Sequence, residues 1–170
     1  ITPSRFRVTN AGELETKGVE LELSARPVDG LTLRANGAWI DARYGEFENI
    51  ACYTGQPILP FGTVRTSDRQ CIRTSAAPGA TAVTNGTGNR LTNVPEYNYT
   101  LFGRYEAPIG GLKGFVQSNW TWRSKVSFSA AGDPNLVEDS FGLLGASIGV
   151  GSRDDRWTAT LWARNLLDRY

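Results

Sequence analysis

Apolar and polar residues alternate along much of the chain, most cleanly over residues 17–44. Val19, Leu21, Leu23 and Ala25 fall at every second position, with Glu20, Glu22, Ser24 and Arg26 between them. A period of two places the apolar set on one face of an extended strand and the charged set on the other. Pro27-Val28-Asp29-Gly30 then carries turn chemistry, because proline presets φ and glycine accepts the positive φ of a hairpin. A second strand repeats the pattern, with Leu31, Leu33, Ala35, Gly37 and Trp39 on one side and Thr32, Arg34 and Asn36 on the other. A single hairpin of this kind suits a soluble β-sandwich equally well. The number of strands and the lengths of their connections discriminate.

Ahead of this hairpin, Phe6 and Val8 alternate with Arg5 and Arg7 before Asn10-Ala11-Gly12 interrupts. This reads as a bulged upper part of the strand that continues to Arg26, with a separate short strand and turn as the alternative. Residues 45–94 keep no sustained period and are rich in glycine and proline, which reads as loop; residues 58–64 are a candidate short hairpin within it. A structureless loop of that length is uncommon in a compact soluble domain. Alternation returns with Tyr97, Tyr99, Leu101, Gly103 and Tyr105 against Asn98, Thr100, Arg104 and Glu106, interrupted by Phe102. Pro108-Ile109-Gly110-Gly111 predicts a turn, and residues 112–124 a strand with Val116, Ser118, Trp120 and Trp122 on one face. A loop over 125–139 precedes a strand over 140–150, a turn over 151–155 and a last strand carrying Trp157, Ala159, Leu161 and Ala163 on its apolar side.

Short connections (27–30, 107–111, 151–155) thus alternate with long ones (45–94, 125–139). In an up-and-down array this puts every short turn at one end and every long loop at the other, the plan of outer-membrane barrels. Tyrosines near both ends of an apolar face match interfacial girdles. The predicted fold is therefore all-β: an antiparallel, up-and-down transmembrane β-barrel segment of about six strands. Six strands leave bare edges in lipid, so the segment needs neighbours to complete a larger barrel.

Composition narrows the function. The 170 residues carry a net charge of +1, which gives no electrostatic case for nucleic acid. No apolar run approaches the roughly 18 residues of a membrane helix, and no signal peptide is visible; a β-barrel leaves neither trace. The chain begins at Ile1 and contains no methionine, which is expected of an internal piece of a longer protein. Cys52 and Cys71 are the two cysteines, and the chain has no histidine, so a zinc site is poorly supplied. A disulfide between Cys52 and Cys71 in an oxidising compartment is the expectation, stabilising by roughly 3 kcal/mol in the chain-entropy model. Gly145-Ala146-Ser147-Ile148-Gly149 fits the G-x-S-x-G pattern of serine hydrolases, but that chemistry needs a base and the pattern sits inside an alternating strand. No catalytic residue, metal site or cofactor is expected. Glu20, Glu22, Arg34, Arg104 and Arg123 are candidates for a charged lumen. In the long loop that holds both cysteines, Tyr53, Arg65, Arg69 and Arg73 are candidates to contact an anionic ligand.

Three segments resemble the C-terminal part of the barrel of TonB-dependent outer-membrane receptors. Asn10-Ala11-Gly12 followed by Lys17-Gly18-Val19-Glu20-Leu21-Glu22-Leu23 is similar to the family's N-x-G … G-V-E-L-E segment. Asn93-Val94-Pro95 ahead of a tyrosine-rich strand resembles a recurring junction. Ala163-Arg164-Asn165-Leu166-Leu167-Asp168-Arg169-Tyr170 resembles the N-L-F-D-x-x-Y element before the final strand, with Leu167 in the Phe position. The resemblance implies a barrel of about 22 strands around an N-terminal plug, with residues 1–170 its C-terminal portion and the plug and final strand outside the chain. It further implies import of a scarce nutrient, most commonly a ferric siderophore, across the outer membrane of a Gram-negative bacterium. The implied partners are outer-membrane lipid, the plug, a small-molecule ligand and the TonB complex acting through the plug. The rival expectations are a porin-like pore and a soluble sandwich that stacks carbohydrate on Trp39, Trp120 and Trp122.

Overall fold

A computed structural model describes residues 12–67 and 69–169. The strands are β1 (Leu14–Ala25), β2 (Leu31–Tyr44), β3 (Ile50–Ala51), β4 (Ile58–Leu59), β5 (Cys71–Arg73), β6 (Ala82–Thr84), β7 (Tyr97–Ile109), β8 (Leu112–Arg123), β9 (Val126–Ser127), β10 (Val137–Glu138), β11 (Phe141–Ser152) and β12 (Thr158–Ala163), with no helix among the described residues. The chain separates into two compact units. One comprises Gly18–Ile40, Pro95–Lys125 and the chain from Asp139 onward; the other comprises the described residues up to Lys17, Asp41–Val94 and Val126–Glu138.

The first unit is built on a six-stranded sheet in the order β1-β2-β7-β8-β11-β12. Each strand neighbours the next long strand in sequence, the up-and-down order read from the alternation. Among the described residues the sheet begins at β1, ends at β12 and does not close on itself.

Antiparallel register lines up residues of one kind in rows, because directly paired residues share a face. One row runs Leu31–Tyr105–Val116–Ile148–Leu161, and another Ala35–Leu101–Trp120–Leu144. The facing rows are polar, as in Asn36–Thr100–Thr121 and Thr32–Arg104–Gln117–Ser147. The apolar rows are not packed into protein: Leu101 is 47% exposed and Leu161 75%. On this apolar face Tyr99 stacks on Trp122 at 5.3 Å between ring centroids, and the Trp120 indole N–H donates to the Tyr99 hydroxyl at 3.3 Å. The Trp120 ring also lies against Gly142, where any Cβ would collide with it.

Two turns are tighter or later than the sequence predicts. β7 continues through Pro108 and Ile109, leaving Gly110-Gly111 as the turn, with Gly110 at φ 58°. Pro108 is tolerated there for a geometric reason. The Glu106 N–H, two residues earlier, donates to Gly30 at the end of the β2 ladder. The Pro108 nitrogen points the same way, past the last available acceptor, so no ladder bond is lost. β11 likewise runs to Ser152, because Gly151 still pairs with Thr158. At the chain's start β1 begins at Leu14, with the Gly12 N–H donating to the Glu46 carbonyl. The expected bulged strand ahead of it, with Phe6, Val8 and Asn10, lies outside the described residues.

The second unit holds order in what the sequence presents as loop. β3-β6-β5-β4 form a four-stranded sheet, and β9 pairs with β10. The expected hairpin over 58–64 does not form. β4 pairs in parallel with β5 (Ile58↔Cys71, Leu59↔Ile72), while the Thr63 N–H closes a turn onto the Pro60 carbonyl. Pro60 has no N–H to give a ladder, and the Cys52–Cys71 disulfide holds β5 in this sheet instead. This unit has a small core of Ala42, Tyr44, Ile50, Cys71, Val126 and Ala131.

Candidate functional site

Two surfaces can meet a ligand: the polar face of the six-stranded sheet and a groove in the second unit. The polar face carries four aromatic side chains that the alternation alone would not put there. Each lies under an arginine. Arg34 sits 5.8 Å from the Phe102 ring centre, Arg104 3.7 Å from Phe115, Arg123 4.7 Å from Phe141 and Arg164 4.9 Å from Trp162. A guanidinium on a ring is held by the ring's quadrupole and shields it from water, while its in-plane N–H groups stay available. Arg104 uses those N–H groups on Gln117 Oε1 and Glu106 Oε1, both at 2.6 Å. Phe102, the exception in its strand, is thus the register partner of Arg34. Ser147 lies on this face with its hydroxyl buried and without a partner; with no histidine in the chain, no imidazole is there to activate it.

In the second unit, Cys52 and Cys71 form a disulfide with Cα atoms 5.9 Å apart. Gln56, buried in the same unit, ties its own turn to the segment at Arg69. Its Oε1 accepts from the Tyr53 N–H at 3.1 Å, and its amide donates to the Arg69 carbonyl at 2.7 Å. A groove of about 440 Å³ lies between the segment around Phe47–Thr54 and the hairpin that carries β9 and β10. Both walls are bonded to the segment 86–93. Asn89 donates to the Ala130 carbonyl at 2.8 Å, and the Asn93 N–H to the Ser127 carbonyl at 2.9 Å, while the Gly86 N–H donates to the Phe47 carbonyl at 2.8 Å and the Thr87 hydroxyl accepts from the Phe47 N–H at 3.0 Å. Phe47, Ile50, Tyr53, Phe128 and Leu136 supply the large apolar side chains of the lining, and Asp133 is its one charged residue among those described. Asp133 is 7% exposed; its Oδ1 accepts from the Asn135 backbone N–H (2.9 Å) and side-chain amide (3.1 Å). No hydrogen bond reaches Asp133 Oδ2 among the described residues.

Of the four ligand candidates read from the sequence, Tyr53 alone lines this groove. Arg65 spends its guanidinium on the Val83 carbonyl at 3.4 Å, and Arg69 and Arg73 are exposed elsewhere in the unit. Sequence reasoning missed Gln56, Phe47, Phe128 and Asp133. The available signal was the Gly132-Asp133-Pro134-Asn135 turn, which marks a bend and says nothing of what it faces.

The sheet has one predominantly apolar face, one predominantly polar face and strand lengths suited to crossing a bilayer, which defines a segment of a transmembrane β-barrel wall. The chain belongs to the TonB-dependent receptor-like β-barrel family, whose model matches residues 1–166. The ferric yersiniabactin uptake receptor FyuA from Yersinia pestis is similar in fold, with TM-score 0.64 and 18% identity over 94% of this chain and 19% of its own. The siderophore receptor PiuA from Acinetobacter baumannii is similar at TM-score 0.58 and 18% identity, over 92% of this chain and 18% of its own. The chain therefore spans about a fifth of the length of these receptors. No curated protein matches it.

Within such a wall the apolar rows are the lipid side and the arginine-bearing rows the lumen side. The family-like Asn165-Leu166-Leu167-Asp168-Arg169 element has a physical basis here. The Asn165 side chain closes the turn in both directions, accepting from the Arg169 N–H and donating to the Arg169 carbonyl.

Proposed function

We propose that this chain is the wall-and-loop portion of an outer-membrane receptor that captures a scarce nutrient, a siderophore-type iron complex, for energised import. One observation supports this most: a two-faced wall without a packed apolar core joins long connections that fold into a disulfide-closed unit with its own groove. An open pore needs no such built loop structure. Ligand is captured in the loop unit, with Tyr53 among its contacts, and passes along the lumen side when a plug, pulled by a TonB-type complex of the inner membrane, yields. The residues of this chain bind, orient and line the path; no catalytic step is part of the proposal. The soluble-sandwich alternative is disfavoured because Trp120 and Trp122 already pack on Gly142 and Tyr99 in an exposed apolar face that water would not tolerate.

The test uses the full-length parent receptor in the outer membrane of cells lacking their own siderophore receptors. Radioactive ferric-siderophore uptake should appear with the receptor and vanish when the proton gradient is collapsed. Diffusive entry that survives the uncoupler would establish a pore instead.

A further inference from the structure

We infer that the groove of the loop unit is a binding site for an organic ammonium carried on an apolar or aromatic arm. This inference rests on the ligand-capture reading of that unit and specifies its chemistry. The sequence pointed the other way, to an anionic ligand met by Arg65, Arg69 and Arg73. None of these lines the groove, and neither does any lysine among the described residues.

Among the described residues the charge inside is a single carboxylate, Asp133, nine-tenths buried and with only one oxygen engaged. Its second oxygen has no protein donor among the described residues, and a carboxylate acceptor of that kind favours an incoming positive donor and repels an anion. The walls fit the rest of such a ligand. Phe47, Tyr53 and Phe128 are the aromatic residues of the lining and give contact area for its arm. The volume of about 440 Å³ suits one arm of a larger molecule. The groove is preformed, because both sides are bonded to the segment 86–93: Asn89 and Asn93 donate to the Ala130 and Ser127 carbonyls, and Gly86 and Thr87 bind the Phe47 backbone. Binding therefore sacrifices little ordering entropy.

The experiment uses the purified full-length receptor in detergent and three fluorinated probes read by fluorine NMR: para-fluorophenethylammonium, the neutral para-fluorophenethyl alcohol and anionic para-fluorophenylacetate. The ammonium should bind about ten-fold or more tighter than the alcohol, as expected for one charge-assisted hydrogen bond, and the carboxylate probe weakest. Asp133→Asn retains the acceptor that closes the 133–135 turn. It should bring the ammonium down to the level of the alcohol and leave the alcohol unchanged. Glu48→Gln, which removes an exposed carboxylate outside the groove, should leave the preference intact. Equal binding of ammonium and alcohol, binding of no probe, or a preference that survives Asp133→Asn overturns the inference. Loss of alcohol binding in Asp133→Asn also overturns it, since Asp133 would then be a structural support. The import reading fails separately: uncoupler-insensitive iron entry with the ammonium preference intact would remove the receptor function and leave this site standing.

Discussion

In the wall unit the buried residues are Gly114, Gly142, Gly145 and Gly151, whereas the loop unit, which takes in the end of β2, hides Ala42, Tyr44, Ile50, Cys71, Val126 and Ala131. The wall keeps its large apolar side chains outside, so its surroundings must supply what a protein core supplies elsewhere. The loop unit instead builds a small core of its own, although Phe61, Val64 and Phe128 stay exposed. It closes the chain with Cys52–Cys71 and satisfies the buried Gln56 at both ends of its side-chain amide. One chain thus holds itself together in two ways, by ladder pairing in the wall and by a cross-linked core in the loop unit.

Three measurements would break or sharpen that contrast. The largest effect is expected on the lipid side. Leu101→Arg should destabilise the full-length receptor by about 2–4 kcal/mol in urea titrations from vesicles if Leu101 lies near the bilayer midplane. Thr100→Arg, on the facing polar row, should stay within about 0.5 kcal/mol. Equal losses at the two positions would dissolve the distinction between the faces.

Next comes the loop unit. Replacing Cys52 and Cys71 together by alanine should remove roughly 3 kcal/mol of local stability. Hydrogen exchange should quicken over residues 50–84 and stay unchanged over 97–152. Spread of the change into the wall would mean that the two share one cooperative unit.

The smallest effect belongs to the short turn after β11. There the Ser152 hydroxyl, and after it the Arg156 N–H, hold the Asp154 carboxyl below its ordinary range. A lowered folded-state pKa stabilises the turn above the ordinary carboxylate value of about 3.9. That contribution is lost as the pH falls through the lower folded value. Exchange at residues 152–157 should therefore accelerate only in acid, and Asp154→Asn should flatten the dependence. A wild-type profile as flat as that of the variant would refute it.

The wall was legible because a period of two needs only its own strand to be read, and β1, β2, β7, β8 and β11 are long enough to display it. The loop unit was not, because β3 to β6 contribute two or three residues each and no period can be seen in so few. Their pairing is set by the disulfide and by Gln56, contacts far apart in sequence. Phe102 looked like a break in the alternation of its strand for a related reason. Arg34 lies opposite it across the sheet, and only the register reveals the pair. Three of the four proposed ligand residues were chosen for charge within one loop, while the groove draws its lining from two loops. Charge was readable in the sequence; convergence was not.

The glycines of β11 bear on inheritance as well as packing. At Gly142, Gly145 and Gly149 a side chain would strike Trp120, Asn119 and Phe115 of the neighbouring strand, so each strand carries half of a matched set. A gene segment encoding β11 alone, transplanted from a related receptor, would bring the wrong halves. The smallest heritable module of this wall is therefore the β8–β11 pair, exchanged together with whatever loop lies between them, which leaves that loop free to diversify while the wall stays constant.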